Sequence, residues 1–287
     1  MTIRNPVEWG VEHIRSAGGA FRPAAADAPR TEAAASRALP EVRRIGVADL
    51  LHALGKGVED FGANRTDVMF LCVVYPVIGV VLARFAAGYD MLPLLFPLAS
   101  GFALVGPLAA VGLYEMSRRR EMGSHATWAD AFGVIRSPSF GGIVAIGAVL
   151  IGIFVLWLAA AFAIYLVTLG PRPPVSAGAF VHDVLLTPAG WVMIGVGVGV
   201  GFLFAVLVLH IGVISLPLQL DRNVGAGQAM RASIRAVRTS PGPMAVWGLI
   251  VVGLLAAGAI PVFIGLIIVL PVLGHATWHL YRSVVPR

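Results

Sequence analysis

Two histidines four residues apart are the clearest candidates for chemistry in this chain. The stretch "LPVLGHATWHLYR", residues 270–282, places His275 and His279 at a spacing that puts both rings on one helix face. Two imidazoles so placed can bind one metal ion, and His210 could add a third ligand or an axial ligand to haem. The intervening glutamate of metalloproteases is missing, and the sequence places no Asp or Glu beside either histidine to orient its ring.

The same stretch is also typical of the edge of a bilayer. Aromatic and basic side chains collect where a helix leaves the hydrocarbon, because their rings and charges meet water and lipid headgroups there. In this stretch the cluster consists of Trp278, His279, Tyr281 and Arg282. The histidines are therefore explained either as a metal or haem site or as part of an interfacial cluster that holds no cofactor.

The overall composition places the chain in a membrane. Hydrophobic residues make up 58% of the 287 residues and charged residues 13%, whereas soluble domains carry about 25% charged residues. Six apolar runs approach or exceed the ~20 residues that cross a bilayer. They cover residues 68–88, 92–114, 141–169, 190–217, 244–260 and 262–281. The last two runs meet at Pro261, between Gly258 and Gly265, where a tight outer turn is expected.

The basic residues predict the orientation of these spans. Lys and Arg near helix ends are retained on the cytoplasmic side. Of the 21 Lys and Arg residues, only Arg84 and Arg172 fall on the predicted outer side, so both termini are expected in the cytoplasm. The formal net charge of +6 resides in short loops that this rule already fills with basic residues. It therefore does not indicate nucleic-acid binding.

A threefold pattern organises the membrane domain. An amphipathic segment precedes the first, third and fifth apolar runs, and each segment ends in a breaker: "GANRTD", "RSPSF" and "RTSPGPM". The pattern predicts an all-α integral membrane protein with six transmembrane helices, built as three repeats of a cytoplasmic amphipathic helix plus a transmembrane hairpin. The expected apolar faces are Val47, Leu50, Leu51, Leu54, Val58 and Phe61; Trp128, Ala131, Phe132 and Ile135; and Ala226, Met230, Ile234 and Val237. Thr127 and Asp130 are expected to form a capping box on the second of these helices.

The chain divides into a tail and a membrane domain. Residues 1–45 form a cytoplasmic tail with a short helix near 5–17 and a flexible linker, and residues 46–287 form the six-helix domain. The short helix begins at Asn5 and carries Trp9. It is either a frayed terminal helix or a docking segment for a protein partner or the membrane surface.

Ionisable residues and glycines within or beside the spans supply the remaining candidates. Arg84 is close enough to its span end to reach water, and Glu115 is expected to pair with Arg119 four residues on. Two basic groups suit anionic lipid headgroups or an acidic partner: Arg231, Arg235 and Arg238, and Arg118, Arg119 and Arg120. A group of four glycines is expected to pack helices closely: Gly195, Gly197, Gly199 and Gly201.

Three long segments carry a resemblance to a known family. They are "LPLLFPLASGFALVGPLAAVGLYEMSRRREMG" with the following "TWADAF", and the stretch from "LDRNVGAGQAM" to "LPVLGHATWHLYR". Over residues 45–283 the chain resembles DUF2189, a family of bacterial integral membrane proteins. "GANRTD" departs from the family pattern, which has a proline-containing breaker there. The resemblance implies a polytopic inner-membrane protein and no particular activity.

Three functions fit these observations, and none of them requires an enzyme. The first is a non-catalytic accessory or scaffold subunit of an envelope or respiratory assembly in the bacterial inner membrane, which binds lipids and a protein partner through the N-terminal segment. The second is a passive or exchange-type permease for a small apolar or zwitterionic solute, which the repeats and the prolines within or near the spans suggest. An ion-coupled transporter is disfavoured, because the acidic residues are confined to loops and helix ends. The third is a haem- or metal-binding protein that uses His210, His275 and His279.

Overall fold

The computed structural model describes residues 40–63, 92–124, 127–261 and 263–287, together with Arg84. Outside these residues lie the predicted helix at 5–17 with its Trp9, most of the predicted linker, and the first predicted span at 68–88 except Arg84. Arg84 itself is exposed. The regular secondary structure of the described residues is entirely helical.

Eleven α-helices follow one another along the described residues. They are α1 (Val47–Ala63), α2 (Leu95–Ala109), α3 (Val111–Glu121), α4 (Trp128–Phe132), α5 (Phe140–Thr168), α6 (Ala177–Leu186), α7 (Pro188–Gly212), α8 (Ser215–Arg222), α9 (Ala226–Thr239), α10 (Pro241–Ala259) and α11 (Leu266–Val284). Short 3₁₀ segments cover Leu92–Leu94 and Gly133–Arg136.

Three described segments are long and apolar enough to cross a membrane. They are Phe140–Thr168, Pro188–Arg222 and Pro241–Ala259, and they correspond to the predicted spans at 141–169, 190–217 and 244–260. The predicted span at 92–114 is divided at Ala110 between α2 and α3, one turn after Pro107. The predicted turn at Pro261 is confirmed, since α10 ends at Ala259 and α11 begins at Leu266.

The centre of the bundle is formed by α5, which packs against α2 and α7. One face of α5 is buried along its length, from Ile143 and Ile146 to Trp157. The indole Nε1 of Trp157 donates a hydrogen bond of 3.1 Å to the carbonyl of Pro97. A Cβ at Gly101 of α2 would lie 2.0 Å from the ring of Phe154 on α5. The close approach of α2 and α5 is therefore fixed by an indole bond and a missing side chain.

Helix α1 lies across α11 at a distance that only glycine permits. A Cβ at Gly57 would lie 2.7 Å from the Cβ and amide nitrogen of Ala276 and from the carbonyl oxygen of Val272. Two backbones so close exclude any larger side chain at this point. The start of the described chain is also bonded to later elements: Arg43 N donates to Val284 O at 2.8 Å, and Ile45 N donates to Ser240 Oγ at 3.1 Å.

The buried face of α1 differs from the predicted apolar stripe. Leu50 is buried as expected, but Val47, Leu51 and Val58 are exposed. The other buried residues of the helix are Ala53, Gly57 and Asp60. Leu54 and Phe61 are partly buried. The tight crossing with α11 thus buries small residues and one carboxylate, and it leaves part of the predicted stripe beside the packed face.

Helix α9 shows the same preference for small residues. Its buried residues are Ala229, Ala232, Ser233, Ala236 and Val237. Of the predicted stripe, Val237 is buried while Ala226, Met230 and Ile234 are only partly so. Phe132 and Ile135 of the second amphipathic segment are exposed as well, and Ala131 is buried. Large apolar residues on these helices thus lie at the edges of the packed faces, where a bilayer interface would cover them.

Candidate functional site

The candidate functional site is a group of polar side chains at one end of the bundle, which we call the polar collar. It is built from the ends of α1, α3, α8 and α11 and consists of Asp60, Glu115, Ser117, Arg118, Arg119, Arg120, Glu121, Asp221, Arg222, His275, His279 and Arg282. Elements that are far apart in the sequence meet here. The helices hold the side chains because their apolar faces pack beneath the collar.

Asp60 is the centre of one buried network. Its Oδ2 accepts hydrogen bonds from Ser117 Oγ at 2.6 Å and from His279 Nε2 at 2.8 Å. Its Oδ1 lies 3.0 Å from Arg120 Nη1, which also donates to the backbone carbonyl of Glu59 at 2.9 Å. The Asp60 side chain is only 7% exposed. One carboxylate therefore joins α1 to both α3 and α11.

His275 extends this network into the bundle. Its Nδ1 lies 2.8 Å from Ser117 Oγ. Serine has one hydroxyl hydrogen, and Ser117 gives it to Asp60, so Nδ1 of His275 is the donor to Ser117. Nε2 then carries a lone pair, and it is buried with no hydrogen-bond partner among the described residues. The four side chains form a continuous hydrogen-bonded chain from His279 through Asp60 and Ser117 to His275.

The environment keeps Asp60 ionised. Burial raises the pKa of its carboxyl group, but the hydrogen bonds from His279 and Ser117 lower it by more. The net result is a pKa below the ordinary value of 3.8. At neutral pH the group is therefore a buried anion that is held by three donors, which is typical of a structural carboxylate.

A second network surrounds Glu115, which is 5% exposed. Its carboxylate accepts from Arg118 Nε at 2.7 Å and from Arg119 Nε at 2.8 Å. The predicted pair with Arg119 is thus confirmed, and Arg118 joins it. Arg119 Nη1 continues to Asp130 at 2.7 Å. Asp130 also accepts from the backbone N of Thr127 at 2.9 Å, as the predicted capping box requires.

A third network connects α3, α8 and α11. Glu121 accepts from Trp278 Nε1 and from Arg282 Nε, each at 3.1 Å. Asp221 accepts from the hydroxyl of Tyr281 at 2.6 Å and from Arg282 Nη1 at 3.3 Å. The pKa of Glu121 lies below its usual range, because bonds from Arg287, Trp278 and Arg282 outweigh the opposing effect of burial. Arg282 therefore bridges two carboxylates from different helices.

The structure separates His210 from the histidine pair. Nδ1 of His210 donates to the carbonyl of Val206 in its own helix at 2.8 Å. His275 and His279 are both engaged through the Asp60 network. Among the described residues, no group of three or more His, Cys, Asp or Glu side chains is arranged to hold a metal ion. The described residues thus offer no set of three side-chain ligands for a metal ion, and the haem hypothesis stays a prediction.

The carboxylate that orients the histidine ring was missed from the sequence. We expected no orienting Asp or Glu, because none is near His275 or His279 in the chain. Asp60 fills that position for His279 from 219 residues away. One signal could have revealed it: Asp60 continues the series Leu50, Ala53 and Gly57 at helical spacing, so it lies on the packed face of α1.

The predicted basic groups differ in their surroundings. Arg231, Arg235 and Arg238 are all exposed on the outer face of α9. In contrast, Arg118, Arg119 and Arg120 are each paired with a carboxylate of the collar. The three arginines of α9 are therefore the ones whose charge faces outward.

The predicted glycine packing face meets little of the described chain. A Cβ at Gly195, Gly197 or Gly199 would have nothing within 4 Å among these residues. Gly201 differs, because a Cβ there would lie 3.0 Å from the ring of Trp157. Gly258 and Gly265 pack against each other across the turn at Pro261. A Cβ at Gly265 would lie 2.8 Å from the Cα of Gly258.

Three apolar segments long enough to cross a membrane indicate an integral membrane protein. Residues 95–221 match the family DUF2189, which is described as a predicted integral membrane protein. The resemblance found in the sequence is confirmed over this region, a little less than half of the chain. The segment at 101–115 lies within the match, and residues 270–282 lie outside it. Comparisons with curated proteins and with solved structures return no match.

Proposed function

We propose that this membrane protein is a non-catalytic accessory or scaffold subunit of a larger assembly in the bacterial inner membrane. Its six spans would follow the threefold repeat, with both termini and the polar collar on the cytoplasmic side. In this arrangement the apolar helices anchor the protein, and the collar with α9 presents a rigid charged surface to a partner or to lipid headgroups.

The observation that carries the proposal is how the buried ionisable groups are used. Asp60 and Glu115 are the buried carboxylates of the described residues, and His275 is their buried histidine. Each is bonded to other side chains of the collar: Asp60 and His275 tie α1 to α3 and α11, and Glu115 holds two arginines of its own helix, α3. A reacting group would have to offer a free atom to a substrate, whereas the carboxylate oxygens of Asp60 and Glu115 already accept from donors within the protein. This use of buried charge supports a structural role over a catalytic one.

The charge distribution supports the proposed orientation. The collar lies at helix ends that the sequence assigns to the cytoplasm. The exposed arginines lie along α9, which the sequence also assigns to the cytoplasm, as expected when basic residues are retained there. A reporter that fluoresces only in the cytoplasm, fused after Arg287, tests this point. Fluorescence is expected, and a dark fusion that is active instead with a periplasmic reporter would contradict the orientation.

Native mass spectrometry of the full-length protein in a mild detergent tests the accessory role. We expect a protein partner to accompany the chain at a fixed ratio. The partner should be lost when residues 1–17 are deleted, if the N-terminal segment is the docking element. A matched control is replacement of the same residues by a Gly/Ser stretch of equal length, which should also lose the partner.

The outcomes distinguish the alternatives. A partner that is retained by both N-terminal variants would contradict docking through this segment. A bare chain together with solute flux in liposomes would replace the accessory role with a permease. A mass increment from haem or metal that disappears in His275→Gln and His279→Gln would favour the cofactor hypothesis instead.

A further inference from the structure

An open cleft lies at the collar between α3, α8 and α11. Its volume is about 660 Å³, within the range of ~300–1,000 Å³ that is common for sites of small ligands. Its charged lining residues are Arg118, Glu121, Asp221, Arg222, Arg282 and Arg287. Four arginines thus face two carboxylates, so the cleft has an excess of positive charge.

Both carboxylates of the cleft are already satisfied from within the protein. Glu121 accepts from Trp278, Arg282 and Arg287. Asp221 accepts from Tyr281 and Arg282. These bonds hold the two anions against the helices, and neither one needs a further cation. An added ligand would therefore encounter the arginines.

Three arginines of the cleft have N–H groups that donate to no acceptor among the described residues. Arg118 uses Nε and Nη2 on Glu115, and Arg282 uses Nε and Nη1 on the two carboxylates of the cleft. Arg222 donates through Nη2 to the backbone carbonyl of Pro286. Among the described residues, Nη1 of Arg118, Nη2 of Arg282 and Nη1 of Arg222 have no acceptor. Planar guanidinium groups with spare donors are well suited to the oxygens of a phosphate.

Two apolar side chains also line the cleft. Met122, which is 58% exposed, borders it. The buried indole of Trp278 forms another part of its wall. A phosphate that is attached to an acyl chain would satisfy both features at once, because its charge would meet the arginines while its apolar part would cover the methionine. Free phosphate would use only the first feature.

We propose that this cleft binds the phosphate headgroup of an anionic phospholipid, with Arg118, Arg222, Arg282 and Arg287 as its donors. The inference deepens the proposed function and rests on its placement of the collar at the membrane surface, but it does not depend on a protein partner. It also differs from the exposed stripe of α9, which has charge but no cleft around it.

The test uses full-length protein, freed of lipid in a neutral detergent and titrated with phosphatidylglycerol. Native mass spectrometry is expected to show one lipid that survives collisional activation, and phosphatidylcholine is expected to bind more weakly. The variant Arg222→Gln/Arg287→Gln should weaken phosphatidylglycerol binding by about tenfold or more, given what each basic residue near a surface contributes. The matched control is Arg231→Gln/Arg235→Gln, which removes the same charge from α9 and should retain the lipid.

Equal weakening in both variants, or no weakening in the cleft variant, would overturn the proposal. Inorganic phosphate distinguishes the two sources of this chemistry: failure of millimolar phosphate to displace phosphatidylglycerol supports the lipid, whereas binding of phosphate without lipid overturns the lipid assignment. Hydrogen exchange on the wild-type protein does not depend on the folding of any variant. Phosphatidylglycerol should protect residues 118–122 and 282–287, and protection confined to 226–239 would contradict the cleft.

Discussion

Replacing Asp60 with Asn tests whether the buried carboxylate holds the collar together. The change keeps the shape of the side chain and removes its charge. Asn can still accept at one oxygen, but its NH₂ group cannot accept from Ser117 or His279 as Oδ2 does at 2.6 and 2.8 Å. Arg120, now 3.0 Å from a carboxylate oxygen, would lose its counterion. The variant therefore weakens three contacts between α1 and its neighbours.

The expected loss can be worked from these contacts. A hydrogen bond to a charged group contributes about 1.5–3 kcal/mol, and separating a buried ion pair costs about 3–5 kcal/mol. The Arg120 side chain is 39% exposed, so water can replace part of its lost interaction. We therefore expect a decrease of about 2–3 kcal/mol in the free energy of unfolding. For a protein of this size that corresponds to a fall of about 6 °C in Tm.

Thermal unfolding in detergent, followed by circular dichroism or intrinsic fluorescence, measures the effect. The matched control is Glu59→Gln, which removes the same charge from the neighbouring residue of α1. The Glu59 side chain is 58% exposed, and among the described residues its ion pair is with Lys56 on its own helix. Such surface pairs contribute about 0–1 kcal/mol. The control should therefore unfold within about 2 °C of the wild-type protein.

Coupling between Asp60 and His279 gives a second measurement. If the 2.8 Å bond matters, then Asp60→Asn and His279→Gln should not be additive, and the coupling energy should be about 0.5–3 kcal/mol. The reasoning is refuted if Asp60→Asn unfolds at the same temperature as Glu59→Gln. Strict additivity of the two changes would also refute it, because it would mean that the groups act independently.

Two further predictions concern acid and the helix crossing. The folded-state pKa values of Asp60 and Glu121 lie below the ordinary 3.8 and 4.5, so both carboxylates stabilise the fold above these values and lose that effect as the pH falls through the folded-state pKa. Tm should therefore decrease between about pH 5 and pH 3, and by less in Asp60→Asn; an equal acid decrease in that variant would contradict the assignment. Gly57→Ala should destabilise by about 1–3 kcal/mol, because its Cβ would lie 2.7 Å from the backbone of Ala276. Gly55→Ala has open space around it and should stabilise α1 by up to about 1 kcal/mol; similar unfolding curves for the two variants would show that the crossing is looser than described.

Periodicity and composition predicted local structure well. Long apolar runs predicted the helices at Phe140–Thr168 and Pro241–Ala259 to within a few residues, because such a run has no stable alternative to a helix in a bilayer. Pro261 correctly placed the turn before α11, and Thr127 correctly placed the start of α4. These features depend on residues that are close together in the chain.

The polar collar could not be predicted in the same way. Whether a carboxylate faces a histidine 219 residues away depends on how two helices cross, and that crossing depends on the space around Gly57. A search of the sequence near His279 therefore found no partner for it. The packed faces of α1 and α9 were predicted only in part for a related reason, since helices that approach closely bury mainly Ala, Gly and Ser. Of the predicted stripes, Leu50 and Val237 are buried, and the other members are partly buried or exposed.

The arrangement of α1 against α11 has a consequence for biosynthesis. The chain is made in order, so Asp60 emerges long before the helix that carries His279. At a synthesis rate of about 5–20 residues per second, the intervening 219 residues correspond to a delay of roughly 10–45 seconds. During that interval the small-residue face of α1 is uncovered. Asp60 first lacks its donors on α3, and after these have been made it still lacks His279 on α11. The contact between α1 and α11 can form only after α11 has been synthesised. Completion of this helix is therefore the step that joins the earlier inserted segments into one folded unit.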